Sequence, residues 1–406
     1  MPKGTIGGAG VGVALVTAAA LGNVGSNVMP VVLPGIASRF HLSDTSSGIV
    51  ATVQLLATAL AALAAAPWAS RPGRIRFARL GLLLAAAGLI TACIAPNFTT
   101  LILSNLIAGA GLGVVYAAGM AAIAATEDTD RASAVAVVGA TILIALLIIA
   151  LPMANDSWGG AAAFALLAAL CLPALWCVRA MPDAAERTTE QHSTAPPPML
   201  FVLALVLLGA TEQGAWSYSE VLGENHAGLS ADTVSVVLSV VSVASLAGVG
   251  LSAWAVRRFG RLPTVAVFFA VEAMAKLTVA STASGNGFIT AVTVWQICYM
   301  ALLVQVLAVA ASADRSGRWV AAASGAVAVG TGLGPAPAGW ILDSIGAPAF
   351  GLVLAVATLL AAIPLLRTTR LVARFGLPHR AAPHGHPTTL TEGDSPAANV
   401  VADLTT

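Results

Sequence analysis

Charge is scarce in this sequence. Of 406 residues only 9% are Asp, Glu, Lys or Arg, where a soluble domain carries about 25%. A water-facing globule is therefore excluded. The little charge present is balanced: 19 basic and 18 acidic residues leave a net charge of +1, with no basic field for nucleic acid. Cysteine is limited to Cys93, Cys171, Cys177 and Cys298. Their spacing fits no metal or redox motif, and all four fall in apolar runs as small apolar residues. No G-x-x-x-x-G-K-[ST] phosphate loop occurs, which argues against an ATP-driven pump. No nucleophile–base pair or metal-ligand set is recognisable, so neither an enzyme nor a cofactor is expected.

What the chain has instead is apolar length. It is 58% hydrophobic with a mean hydropathy of +0.89. Apolar runs of about twenty residues read as membrane-spanning helices. A backbone in lipid must satisfy its own hydrogen bonds, and these runs are too long for barrel strands. An all-α membrane protein follows. Twelve spans are expected, over 9–35, 45–67, 77–96, 99–125, 132–153, 160–178, 199–222, 232–256, 263–283, 287–312, 319–341 and 347–366. With the N-terminus placed in the cytoplasm, 17 of the 19 Lys and Arg fall in inner segments. Arg39 falls outside and Lys276 within a span. That one-sidedness predicts both termini cytoplasmic.

The chain also repeats itself. "HLSDTSSG" from His41 faces "GLSADTVS" from Gly228, and "SRPGRI" at 70–75 faces "RRFGRL" at 257–262, both at an offset of 187 residues. Arg131 and Arg318, and "DSWG" at 156–159 and "DSIG" at 343–346, share that offset. The expected organisation is a six-helix half over 1–178, a polar, proline-rich cytoplasmic linker over 179–198, and a second half over 199–366. A polar tail over 367–406 is expected to be disordered.

These features resemble the major facilitator superfamily of secondary transporters over about residues 1–366. The superfamily's loop signature between spans two and three runs roughly G-x-x-x-D-R-x-G-R-R. "APWASRPGRI" at 66–75 keeps Arg71, Gly73 and Arg74, with Ala66, Ser70 and Ile75 at the departing positions. The second copy, "AWAVRRFGRL", keeps Arg258, Gly260 and Arg261. Two antiporter features depart. Asn105 stands where an arginine is often found in span four. The Gly-Pro pattern of span five is missing, although Gly334-Pro335 gives a similar one in span eleven. The glycine runs at 105–113 and 325–339 are read first as close helix packing.

Three ionisable residues lie well inside spans: Glu212, Glu272 and Lys276. Glu272 and Lys276 share one face of span nine at i, i+4 and are expected to pair, with a structural role and Lys276 snorkelling outward. Glu212 has no basic neighbour in its own helix. The resemblance places span seven on the cavity, which makes Glu212 the expected proton or solute site. Trp216 shares its face, Tyr218 is near, and position 25 matches it across the repeat, flanked by Asn23 and Asn27. Tyr116 in span four and Gln296 and Tyr299 in span ten are expected to join this cluster.

The resemblance implies alternating-access transport of a small organic solute, with protons as coupling ion and efflux of a drug or metabolite ahead of uptake. An uncoupled facilitator or an uptake symporter is the alternative, and a non-transporting receptor is a further one. Expected partners are the solute, protons and the lipid bilayer, with the chain acting as a monomer. Ala-rich, Lys-poor usage points to a bacterial inner membrane.

Overall fold

The computed structural model describes residues 6–183, 196–314 and 316–375, and every element among them is a helix. The N-terminal set comprises α1 (Ile6–Asn27), α2 (Met29–Phe40), α3 (Asp44–Ala69), α4 (Arg74–Cys93), α5 (Phe98–Ala124), α6 (Thr129–Trp158) and α7 (Ala162–Cys177). The C-terminal set comprises α8 (Met199–Ser217), α9 (Ser219–Asn225), α10 (Ala231–Ala244), α11 (Ala247–Phe259), α12 (Arg261–Ser281), α13 (Gly285–Ala313), α14 (Arg318–Leu333), α15 (Pro335–Ile345) and α16 (Ala347–Phe375). Among the described residues eleven spans are long and apolar enough to cross a membrane, and α10 with α11, bent by 42°, make a twelfth if taken as one broken span.

Four expected spans are interrupted. The first breaks at Val28, between α1 and α2, where Pro30 follows and cannot donate an amide to the preceding turn. The seventh breaks at Tyr218, the eighth at Ser245–Leu246, and the eleventh at Gly334 ahead of Pro335. Arg39, expected in an outer loop, sits in the last turn of α2. The tail, expected to be irregular from Arg367, is helical in its first residues instead. Helix α16 carries on to Phe375, with the Thr368 and Thr369 hydroxyls bonded back to the Pro364 and Leu365 carbonyls. The remainder of the expected tail, and linker residues 184–195, lie outside the described residues.

Helix ends recur at the 187-residue offset. Ser43 and Ser230 cap α3 and α10, each accepting from the amide three residues on. Asn97 and Ser284 do the same for α5 and α13. Such caps satisfy amides that the first turn leaves free. Gly73 and Gly260 open α4 and α12 at φ 101 and 86, a backbone region that favours glycine.

Small residues let the helices approach. A methyl on Gly109 of α5 would run into the Gln54 carbonyl of α3, and one on Gly330 of α14 into the Val206 carbonyl of α8. Large apolar side chains face outward, as lipid contact requires. Trp158, Trp176, Trp254 and Trp340 are all exposed on the outer surface of the helices, the pattern of an interfacial aromatic belt.

The two sets meet chiefly on the face away from the basic loops. Helix α3 packs on α15 and α14, α6 on α10, and α2 on α8 and α9. The Asp343 carboxylate accepts from the Asp44 amide (3.3 Å), the Thr45 amide (2.7 Å) and the Thr45 hydroxyl (2.5 Å). The Ser239 hydroxyl donates to the Ala145 carbonyl (2.8 Å), and the Ala336 amide to Thr52 Oγ1 (2.9 Å). Toward the basic face α11 packs on α12 and α13 instead.

Candidate functional site

Helix α8 carries Glu212 into the interior, where it is 6% exposed. Helix α12 presents Glu272 and Lys276 on one face, both buried, and α13 adds Trp295, Gln296 and Tyr299. Lys276 Nζ lies 2.5 Å from Glu272 Oε1 and 3.3 Å from Glu212 Oε2. The Trp295 indole donates to Glu212 Oε2 (2.7 Å) and the Gln296 amide to Glu212 Oε1 (2.9 Å). Glu272 Oε2 is buried without a hydrogen-bond partner. The Lys276 ammonium also lies over the Trp295 ring, 5.7 Å from its centroid. Tyr299 stands close enough to interact electrostatically with both carboxylates.

This geometry corrects the expectation for Lys276, which turns inward rather than snorkelling outward. It also gives Glu212 the basic partner its own helix lacks. Neither point is readable from one helix, because the i, i+4 rule sees only the Glu272 contact. The cluster holds two carboxylates and one ammonium in a buried interior. Removing one partner of a buried ion pair costs about 3–5 kcal/mol, so the three groups depend on one another.

The N-terminal set meets this cluster through backbone, not through the expected amides. Asn23 donates to the Ala19 carbonyl (2.9 Å) and Asn27 to the Asn23 carbonyl (2.9 Å), both within α1. The cross-set bonds run from the Trp216 indole to the Asn27 carbonyl (2.9 Å) and from Gln213 Nε2 to the Ser26 carbonyl (2.9 Å). Trp216 in turn meets Trp295 edge to face, with centroids 6.3 Å apart. Tyr116 packs against Gly22 of α1, so close that a methyl there would collide with it. Position 25 is a glycine set against Gln54.

Tyr218 does not join the Glu212 cluster. Its hydroxyl donates to the Asp44 carbonyl (2.7 Å) and lies 3.3 Å from the Pro335 carbonyl, at the seam between the sets. The break at Tyr218 swings it there. Trp295 and Gln213 escape a reading of the sequence, because an indole and a lone amide in a span read as apolar packing. The signal for Trp295 was its place beside Gln296.

The loop residues divide. Arg74 is fully buried and donates to the Ala121 carbonyl (2.6 Å). The Gly73 and Arg74 amides both donate to Asp183 Oδ1 (2.8 and 2.9 Å), so Asp183 supplies an acid where the signature's own is Ser70. Arg71 is exposed. In the second copy Arg258 lies over the Phe259 ring, 5.5 Å from its centroid, Gly260 begins α12, and Arg261 is half-buried. Concave apolar surfaces of about 680 and 440 Å³ lie away from Glu212, the larger along α12 and α13 at Met274 and Asn286.

The profile of the Major Facilitator Superfamily matches residues 14–313. Three solved structures share the architecture. A bacterial homolog of the human lysosomal transporter Spinster, inward-facing and occupied, superposes with a TM-score of 0.72 at 18% identity, covering 92% of this chain and 98% of that one. Its inward-facing, unoccupied form gives 0.69 at 15%, covering 93% and 100%. A POT family transporter in complex with 5-aminolevulinic acid gives 0.71 at 13%, covering 91% and 98%. No curated protein matches the sequence.

Proposed function

Because the chain belongs to the Major Facilitator Superfamily, and is therefore a secondary transporter and not an enzyme, we propose that it moves a small organic solute by alternating access in exchange for protons. The observation that carries this reading is the Glu212–Lys276–Glu272 cluster. It holds one more carboxylate than ammonium, so a single proton or a single monovalent cation balances it. Unbalanced charge in a low-dielectric interior is costly, and the two balancing species compete. A solute carrying one positive charge then enters as the proton leaves. Trp216, Trp295 and Tyr299 flank the carboxylate, and aromatic faces attract organic cations.

The remaining assignments follow the charge distribution. The basic face is cytoplasmic, with both termini on that side; the Ala-rich, Lys-poor usage, not the charge, favours a bacterial cell membrane. The two sets act as two six-helix halves, 1–178 and 199–366, joined by a linker over 179–198. The helix caps that recur at one offset support that division. The seam is closed on the outer face and α11 leaves the N-terminal set on the inner one, as an inward-open conformation would have it. Solute loads from the cytoplasm, which favours efflux.

Proteoliposomes with an internal pH dye test the reading with ethidium as the cation. Wild-type protein is expected to release protons as ethidium moves, and Glu212→Gln to stop that release while remaining folded. Proton release by the Gln variant at the wild-type rate would remove Glu212 as the coupling site. Ethidium movement without any proton movement in the wild type would favour the uncoupled facilitator.

A further inference from the structure

The outer seam has two corners related by the 187-residue offset, and they are built differently. At one, Asp343 receives three hydrogen bonds from the start of α3. Its counterpart at the other corner is Asp156, in the last turn of α6. Asp156 is exposed, and among the described residues it does not bond the start of α10, where Asp232 replaces Thr45. Beside it instead stands Glu220 of α9, a helix beyond the apolar span Met199–Ser217. Glu220 is 4% exposed, and its Oε2 has no hydrogen-bond partner.

The surroundings of Glu220 offer it no cation. Helix α9 packs on α2, α8, α10 and α12. Arg39 of α2 is committed to the Ala92 and Ala95 carbonyls, and Lys276 of α12 to Glu272 and Glu212. Arg261 opens α12 at its other end, beside the basic loop. The remaining charged groups on those elements are acids: Glu212, Asp232 and Glu272. The charges that act on Glu220 are Glu224 of its own helix and Asp156 across the seam, both negative. No group of three His, Cys, Asp or Glu among the described residues is close enough to hold a metal ion. The species that suits a buried, unpaired carboxyl among acids is a proton.

We propose that Glu220 is a gate residue that takes a proton from the outer side each time the outer seam closes and returns it to that side when the seam opens. The proposal rests on the transporter reading and its orientation, and goes beyond it. The Glu212 proton crosses the membrane, whereas the Glu220 proton does not. Protonation turns the carboxylate into a neutral acid at the moment it is buried against Glu224 and Asp156, and deprotonation restores the charge when water enters.

Burial, with the like charges of Glu224 and Asp156, pushes Glu220 up to about 8 in the closed seam. In an open seam it meets water, where a glutamate titrates near ~4.3. The closed form therefore binds the extra proton. Its advantage is complete below the ordinary carboxylate range and is lost as outer pH rises toward about 8. Between those limits each pH unit changes the ratio of closed to open by about tenfold.

Spin labels at Thr99 and Asn286 read the seam. Both positions are exposed, at the starts of α5 and α13, and share the 187 offset. The full chain, in nanodiscs with its native cysteines replaced, is measured from pH 5 to pH 9. The wild type should keep the short distance at low pH and gain a longer one toward pH 9. Glu220→Gln should keep the short distance throughout. Asp156→Asn with Glu224→Gln should show less of the long distance at pH 9 than the wild type. A wild-type pH response in Glu220→Gln, an unchanged response in the double variant, or no pH response in the wild type overturns the proposal. Glu212→Gln should keep the response. Its loss there, with retention in Glu220→Gln, would move the sensor to Glu212 and leave the coupling reading intact.

Discussion

Replacing Lys276 would leave two buried carboxylates without their cation. Lys276 is shared between Glu272 and Glu212, and removing the charged partner of a buried ion costs about 3–5 kcal/mol. Lys276→Met is expected to lower the melting temperature of the purified protein sharply. Adding Glu212→Gln and Glu272→Gln should recover most of the loss, because no charge is then left unpaired. A single variant that melts with the wild type would show that the cluster is not held by charge. The sequence announces all three residues: an i, i+4 pair is visible in one helix, and an isolated acid in an apolar run draws notice. It does not show that one ammonium serves both acids, because that depends on how α8 and α12 face each other. Nor do the amides of Asn23 and Asn27 reveal that they turn back on α1 while the Ser26 and Asn27 backbone carbonyls accept the cross-set bonds.

At the scale of the helix, hydropathy marks where a span runs but is blind to where it breaks. The interruptions at Val28, Tyr218, Ser245 and Gly334 lie inside continuous apolar runs, and only two have a proline close behind. Yet the breaks matter to the site, since the one at Tyr218 separates Trp216, which stays with Glu212, from the tyrosine hydroxyl at the seam. Helix contacts are more legible, because glycine runs in a membrane signal close approach. They also make a graded prediction. A methyl on Gly109 has no room beside the Gln54 carbonyl, whereas one on Gly250 of α11 meets nothing within 4 Å. Gly109→Ala should therefore destabilise, on the order of the 1–3 kcal/mol that overpacking costs. Gly250→Ala should be neutral or stabilising by up to about 1 kcal/mol, since alanine is the better helix former. Thermal melts of the two variants in one detergent check the order; equal melting temperatures would mean that α3 and α5 are not packed backbone to backbone.

For the whole molecule the decisive quantity is the sidedness of charge. Arg71, Arg74, Arg76 and Arg79 lie at one end of the helices, with Arg131, Arg257, Arg258, Arg261 and Arg318. Asp44, Asp156, Glu220, Glu224 and Asp343 gather at the other end, along the closed seam. Basic loops are retained in the cytoplasm during insertion; in the orientation proposed on that ground the acidic seam faces outward and meets the outer proton concentration. The gate role of Glu220 and the direction of solute loading both depend on this placement. Single cysteines at Glu127, between α5 and α6, and at His226, between α9 and α10, test it, since both positions are exposed. In a background without native cysteines, a membrane-impermeant maleimide added to intact cells should label His226→Cys and spare Glu127→Cys. After the cells are opened both should react. Labelling of Glu127→Cys in intact cells, with His226→Cys spared, would turn the molecule over. Glu220 would then face the cytoplasm, and the present conformation would be open outward, loading its solute from outside.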